Sequence, residues 1–379
     1  MSTTNPFHPG AGISVWAGHA LWAVPILLLS LKAGPPALSP GMKAASTELI
    51  LTCQEPRGRW VAQYCRATGR LSIHFSDGTD KLVWARDGEI YETSWAPDGS
   101  NLLVVKDPRH NQVASLWRIS VTLGRAGAPV ELFSPRSRSA RKAARKAPWD
   151  FESIQLAKWS PDGRRVTFWT GPSSMSVAAD GLPLWVVEVS SRRASMIAET
   201  VLVNLRYQSW APDSSRLVFT AGGGRSAQEH KWLSIYDTTT GRTRTVIKED
   251  RQVPGIVNWS PNGDWIAYAA ISSHPETDNG WMTFANPAIS SRRICLFNSK
   301  TGQHQRLNRV ESYQDAPCWG ERRDELFYVE LHDNRIALMV TNLTTGITAT
   351  VTEVGAPEDV GYYGQADWDD LLRRRNSAR

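Results

Sequence analysis

Short runs of alternating hydrophobic and polar residues fill most of this chain, and one such run keeps returning. SWAPDGSNLLVV begins at Ser94, KWSPDGRRVTFW at Lys158, SWAPDSSRLVFT at Ser209 and NWSPNGDWIAYA at Asn258. Two weaker copies are CWGERRDELFYV from Cys318 and the truncated DWDD from Asp367. The tryptophans that mark them, Trp95, Trp159, Trp210, Trp259, Trp319 and Trp368, stand 64, 51, 49, 60 and 49 residues apart. Period-two alternation predicts half-buried strands, and repeats of this length predict blades of four antiparallel strands. Strand A ends at the tryptophan, Pro and Asp preset a tight turn, the following Gly tolerates positive φ, and strand B follows. Strand C is expected at LWVVEV (Leu184–Val189), WLSIYD (Trp232–Asp237) and RICLFN (Arg293–Asn298), with turns such as TTTG and SKTG leading to strand D. The expected fold is all-β: a six-bladed β-propeller of four-stranded antiparallel blades over residues 49–370.

The blade nearest the N-terminus lacks a tryptophan start. EPRGRWVAQY from Glu55 aligns with SPDGRRVTFW as its A–B turn and strand B, and LSIHF and KLVWA supply strands C and D. The pattern predicts that Trp368 brings the missing inner strand from the C-terminus, which closes the ring and removes exposed sheet edges. The alternative is that residues 49–53 form that strand and leave Trp368 outside, although Gln54 stands where the other repeats have Trp.

Ahead of the repeats, Ala11–Leu31 (AGISVWAGHALWAVPILLLSL) contains no Lys, Arg, Asp or Glu and is long enough to cross a bilayer as one helix. Residues 1–10 form a tail before it, and the Pro- and Gly-dense stretch 32–48 reads as a linker. A cleaved signal segment is the alternative; the absence of Lys or Arg before the run favours a retained span. Lys32 and Lys43 place the propeller weakly on the cytoplasmic side. His19 lies inside the predicted span, so haem or chlorophyll ligation there is one option, against a neutral imidazole near the interface.

Charge changes the picture less than the total suggests. Arg136, Arg138, Arg141, Lys142, Arg145 and Lys146 match the whole formal charge of +6 by themselves. With Arg373, Arg374, Arg375 and Arg379 of the basic 371–379 tail also set aside, the body is net acidic, which disfavours nucleic-acid binding. The run Ser134–Pro148 is either a solvated loop or a contact for anionic lipid headgroups or an acidic partner. Cys53, Cys65, Cys295 and Cys318 form no Cys-x-x-Cys pair; they read as small buried hydrophobes, with a Cys53–Cys65 disulfide as the competitor.

The W-[SA]-P-[DN]-G units resemble the propeller repeats of the TolB family and of prolyl oligopeptidase propeller domains, over about residues 50–370. The resemblance implies the fold and says little of function; TolB-like proteins being periplasmic binding partners in envelope complexes, it pulls localisation toward the periplasm. The hydrolase domain of prolyl oligopeptidases is not expected here.

No metalloprotease, nucleophile-elbow, phosphate-loop or Cys/His metal spacing is found, so no catalytic residue and no metal site are assigned. Asp98, Asp162, Asp213 and Asn262 recur at turn positions where Asx side chains cap their own backbone, and the repeated tryptophans read as packing between blades. In such a meander the A–B and C–D turns leave one face, and the B–C and D–A connections leave the other. The long connections Gly171–Pro183, Ala221–His230, Ile271–Ser291 and Ser134–Ser153 all belong to the second face. That face, carrying Trp281, Met282 and Phe284 with the basic run, is the expected partner site. The resulting expectation is a non-catalytic, membrane-anchored scaffold subunit of a bacterial membrane complex, whether transport, respiratory or photosynthetic. A periplasmic TolB-like binding protein, or an enzyme using the propeller channel, are the alternatives.

Overall fold

The computed structural model describes residues 50–85, 88–107, 113–138, 140, 153–171, 180–224, 229–248, 252–271, 283–361, 364 and 366–375. Within them nearly all regular structure is antiparallel strand, paired in sequence order. Residues 50–85, 253–306 and 314–355 form four-stranded sheets, and residues 89–133 a five-stranded one. Residues 153–247 form an eight-stranded sheet whose two four-strand halves meet through one residue pair, Val201 with Ala221. Each four-strand unit exposes two faces, so it is stable only when neighbours cover them.

The repeated motif builds the first turn of each unit as its chemistry predicts. Asp98, Asp162, Asp213 and Asn262 accept the backbone N–H of Ser100, Arg164, Ser215 and Asp264 at 2.9–3.0 Å. Gly163 takes φ +66° beside them. In the first unit Arg57 occupies the Asp position and offers no acceptor. Glu55, two residues earlier, takes over: its carboxylate accepts the N–H of Arg57 at 2.9 Å and of Arg59 at 3.1 Å, and pairs with the Arg59 guanidinium at 2.7 Å.

Three of the motif tryptophans are hydrogen-bonded to the unit before. The indole N–H of Trp95 donates to the Cys53 carbonyl (2.9 Å), that of Trp159 to Ser94 (3.3 Å) and that of Trp319 to Asn258 (3.1 Å). The hydrophobic clusters accordingly lie between sheets. Trp60, Tyr64 and Ile73 pack with Trp95 and Leu102; Leu116 and Phe133 with Trp159 and Phe168; Trp169 and Leu184 with Trp210 and Phe219. The first strands of successive units stand side by side and together form an inner wall.

The first strand of the first unit is Ile50–Gln54, which pairs with Trp60–Cys65. This corrects the expectation for Trp368. That residue belongs to no strand: it precedes a short helix, α2 (Asp369–Arg373), and is buried against Tyr313, Val329 and Leu338 of the last unit together with Val360 and Leu371. The physical reason is that the last unit ends with an apolar outer face, Phe327, Val329, Ile336 and Leu338, and the chain's own C-terminal segment covers it. The corresponding outer face of the first unit carries half-buried Val61, Gln63, Ser72 and His74, and among the described residues no hydrophobic cluster joins the two. No disulfide joins any of the four cysteines, so Cys53 and Cys65 are not bridged.

Among the described residues no helix is long and apolar enough to cross a membrane. The span predicted at Ala11–Leu31, with His19, lies outside the described residues.

Candidate partner face and inner wall

The residues predicted for partner binding are only partly described. Trp281, Met282, Arg141, Lys142, Arg145 and Lys146 lie outside the described residues. Arg136 and Arg138 are exposed, just after the strand that ends at Phe133. Phe284 is half-buried, its ring meeting Tyr313 edge-on at 5.1 Å, and a short helix, α1 (Pro287–Ser290), capped by the Asn286 side chain, follows it. Phe284 therefore roots its loop on the last unit, with part of its side chain still exposed. The loop lengths do divide as the meander requires. A–B turns such as Trp159 to Arg165 and C–D turns such as Asp237 to Arg242 are short, whereas Ile271 to Arg293 and Phe133 to Ser153 are long.

A second concentration of polar groups, missed in the sequence, lines the inner wall. Several first strands are interrupted by a register shift, at Ile90/Glu92, Gln155/Lys158, Pro254/Val257 and Asp315/Cys318. A bulge turns backbone groups out of the ladder, and each needs another partner. Glu92 supplies it for the next unit, accepting the N–H of Leu156 at 2.7 Å and of Ala157 at 3.1 Å, with Leu156 held at φ +54°. Burial raises the Glu92 carboxyl above its ordinary value, and those two amides oppose the rise. Thr220 donates to the Gly255 carbonyl at 2.6 Å, and Asp315 accepts the N–H of Ala316, itself at φ +52°.

Lys158 continues the series with a cation. Its ammonium donates to the carbonyl of Gln208 at 3.2 Å and approaches that of Leu205 at 3.5 Å. Burial pulls it down to about 8. No carboxylate among the described residues lies within ion-pair distance of it. Beside it Gln208 is 1% exposed, and neither atom of its carboxamide has a hydrogen-bond partner. The signal was present in sequence: the residue before the motif tryptophan is Ser94, Ser209, Asn258, Cys318 or Asp367 elsewhere, and only here a lysine.

The C-terminal segment makes polar contacts with Arg206, Arg292 and Cys318. Arg206 pairs with Asp369 and, at 3.8 Å, with Asp367; Arg375 contacts the Cys318 thiol. Arg292 donates to Asp315 at 2.7 Å and to the Gly364 carbonyl at 2.9 Å, and Tyr313 donates to the same carboxylate at 2.8 Å. Burial works against the Arg292 charge, but Asp315 outweighs it and holds the guanidinium above its ordinary value. Between the Trp210 and Trp259 units, Tyr268 meets His304 at 2.6 Å and Gln252 at 2.9 Å, and the nearby Cys295 thiol is pushed up to about 11 by burial. Burial thus favours the protonated form of that thiol.

No family model matches the chain, and no curated protein matches it. Solved structures do. TolB from Acinetobacter baumannii is 14% identical over 81% of this chain and 63% of its own, with a TM-score of 0.38. The chain thus spans less than two thirds of that protein. A TolB homologue described from Agrobacterium tumefaciens is 13% identical over 69% of this chain and 81% of its own (TM-score 0.35). Oligogalacturonate lyase from Vibrio parahaemolyticus is 13% identical over 82% and 73% (TM-score 0.44). TolB proteins are therefore among the folds this chain is similar to.

Proposed function

We propose that this chain is a non-catalytic β-propeller scaffold, a structural or assembly subunit of a larger bacterial membrane protein complex, held at the inner membrane by Ala11–Leu31. The eight-stranded sheet counts as two blades in this reading, which makes the propeller six-bladed. The observation that carries it is the segregation of long connections to one end of a stack of rigid sheets, with only short turns at the other. Rigid scaffolds that gather long loops on one face use that face for recognition. Trp281, Met282 and the basic residues Arg136, Arg138, Arg141, Lys142, Arg145 and Lys146 are its contact residues, toward other subunits or anionic lipid headgroups.

The test is to extract native membranes in mild detergent, pull on a C-terminal tag and run a native gel. Stoichiometric co-migration in one large assembly is expected, and loss of that assembly on Trp281→Ala with the fold intact. Migration as a lone monomer would overturn the scaffold reading. Sequencing the mature N-terminus separates a retained span from a cleaved segment.

A further inference from the structure

The second unit differs from the others at its C–D turn. Its third strand, Ser115–Thr122, folds back through Leu123 and Gly124 alone onto Arg125–Ala126, a two-residue hairpin. The C–D turns of the other units are longer and carry polar residues such as Asp77, Ser191, Thr239, Thr301 and Thr344. Gly124, at φ +66°, supplies the left-handed residue of the hairpin, so backbone geometry does not call for the leucine beside it. Leu123 is nonetheless 83% exposed, the highest value of any large hydrophobic residue among those described.

The hairpin overhangs the boundary with the first unit. Gly124 stands beside Asp77 of that unit, where a Cβ would lie 3.7 Å from the carboxylate. An open groove of about 610 Å³ runs along this boundary, lined by buried Trp60 and Val121 and by the more exposed Arg59, Asp98, Leu123 and Arg125. Its frame is fixed: the Val121 N–H donates to the Ser100 carbonyl at 2.8 Å, and Trp60 packs on Phe75 and Trp95 with the Arg59 guanidinium 4.1 Å from its ring centre. Three guanidiniums (Arg57, Arg59, Arg125) stand against three carboxylates (Glu55, Asp77, Asp98), so formal charge nearly cancels, and the difference lies in which groups are already engaged. Asp98 accepts the N–H and hydroxyl of Ser100 at 2.9 and 2.7 Å, Asp77 those of Thr79 at 2.9 and 2.6 Å, and Glu55 is taken up by Arg59 and the Arg57 amide. Nη1 of Arg59 and the exposed guanidinium of Arg125 have no acceptor among the described residues. A guanidinium with donors to spare is matched by a carboxylate.

We infer that this groove docks an extended segment of a partner protein in which an aliphatic residue stands next to an aspartate or glutamate. The aliphatic side chain packs on Leu123, and the neighbouring carboxylate accepts from Arg125 and from Nη1 of Arg59. A segment fits better than a small free acid. Leu123 stands at the hairpin tip, and only an occupant that continues over the hairpin takes that side chain out of water, which is where the contact gains its apolar free energy. The groove lies at the short-turn end of the units, opposite the long connections, so it stands or falls independently of the partner face proposed above.

The experiment follows the fluorescence anisotropy of a fluorescein-labelled peptide of alternating leucine and aspartate on the purified full chain at fixed ionic strength. Saturable binding is expected. Replacing the peptide's leucines with serine, Leu123→Ser or Arg125→Glu should each weaken it about tenfold, the scale of one lost aliphatic contact or one lost charged hydrogen bond. Both substitutions fall on an exposed turn, and thermal unfolding checks that the fold survives them. Ile347→Ser, which removes another aliphatic residue, 68% exposed in the last unit's C–D turn, should leave binding unchanged. Absence of saturable binding overturns the inference, as does equal binding of the serine peptide. Displacement by sodium acetate beyond that by sodium chloride would mark a small-anion site and overturn it too. So would binding retained in a folded chain carrying both Leu123→Ser and Arg125→Glu, or an equal loss on Ile347→Ser.

Discussion

Glu92 holds the backbone of Leu156, 64 positions further along the chain, by accepting its N–H at 2.7 Å while that residue sits at φ +54°. A residue other than glycine rarely adopts this conformation, so the contact fixes a bulge that the local sequence would not choose. The same carboxylate takes the Ala157 N–H, so one side chain satisfies two amides that the bulge frees from their ladder.

Glu92→Ala leaves both amides unpaired at the inner wall. The expected cost is about 2–4 kcal/mol, from about 1–3 kcal/mol for each buried donor left without a partner, less some access of water. Denaturant unfolding measures it; a change under 0.5 kcal/mol would show that the bulge holds itself.

Glu55 replaces the Asx acceptor of the first turn. Burial pushes its carboxyl up, but the hydrogen bonds from the Arg59 side chain and from the amides of Arg59 and Arg57 outweigh that and hold it below the ordinary value. A lowered folded value means stability that is present above the unfolded value and lost as pH falls through the folded one. Glu55→Gln should therefore be less stable than wild type at pH 7 and converge with it below about pH 4, the lower edge of the carboxylate range. Parallel curves across that range would count against it.

Lys158 behaves in the opposite sense. Its folded value, about 8, lies below the ordinary lysine value, so the charged form is disfavoured by folding, and stability from this group rises between about pH 8 and 10.4. The difference in stability between wild type and Lys158→Met should shift in favour of wild type over that window, in a buffer free of carboxylates. A flat difference would mean that the ammonium is solvated.

Trp368 is buried at 6% exposure against the outer face of the last unit. Trp368→Ala should destabilise by about 3–5 kcal/mol. Deletion of residues 356–379 should in addition expose Phe327, Val329 and Leu338 and promote self-association, seen by light scattering. A truncated chain that stays monomeric at wild-type stability would show that another surface covers that face.

Much of the fold is legible in the sequence because its signals are local. The Trp-Pro-Asp-Gly turn fixes where strand A ends and strand B begins, and Asp98, Asp162 and Asp213 each bond a backbone N–H two residues away. The Lys158 position was also visible as the one lysine before a motif tryptophan, where the other copies have Ser94, Ser209, Asn258, Cys318 and Asp367. Its meaning was not, because Gln208 lies 50 residues further on and its lack of a partner is a property of the packed interface. Phe284 shows the same limit: its packing on Tyr313 is a property of the folded chain that a polar insertion does not announce.

By itself, then, the sequence determined the strand order and the turns, since each depends on residues within one hairpin or one repeat. Tertiary structure alone decided that Ile50–Gln54 and not Trp368 supplies the first unit's first strand, and that the C-terminal segment covers the last unit. The reason is competition for buried area. An apolar face must be covered by whichever segment reaches it at least entropic cost, and Val360, Trp368 and Leu371 are already tethered to the strand that ends at Gly355.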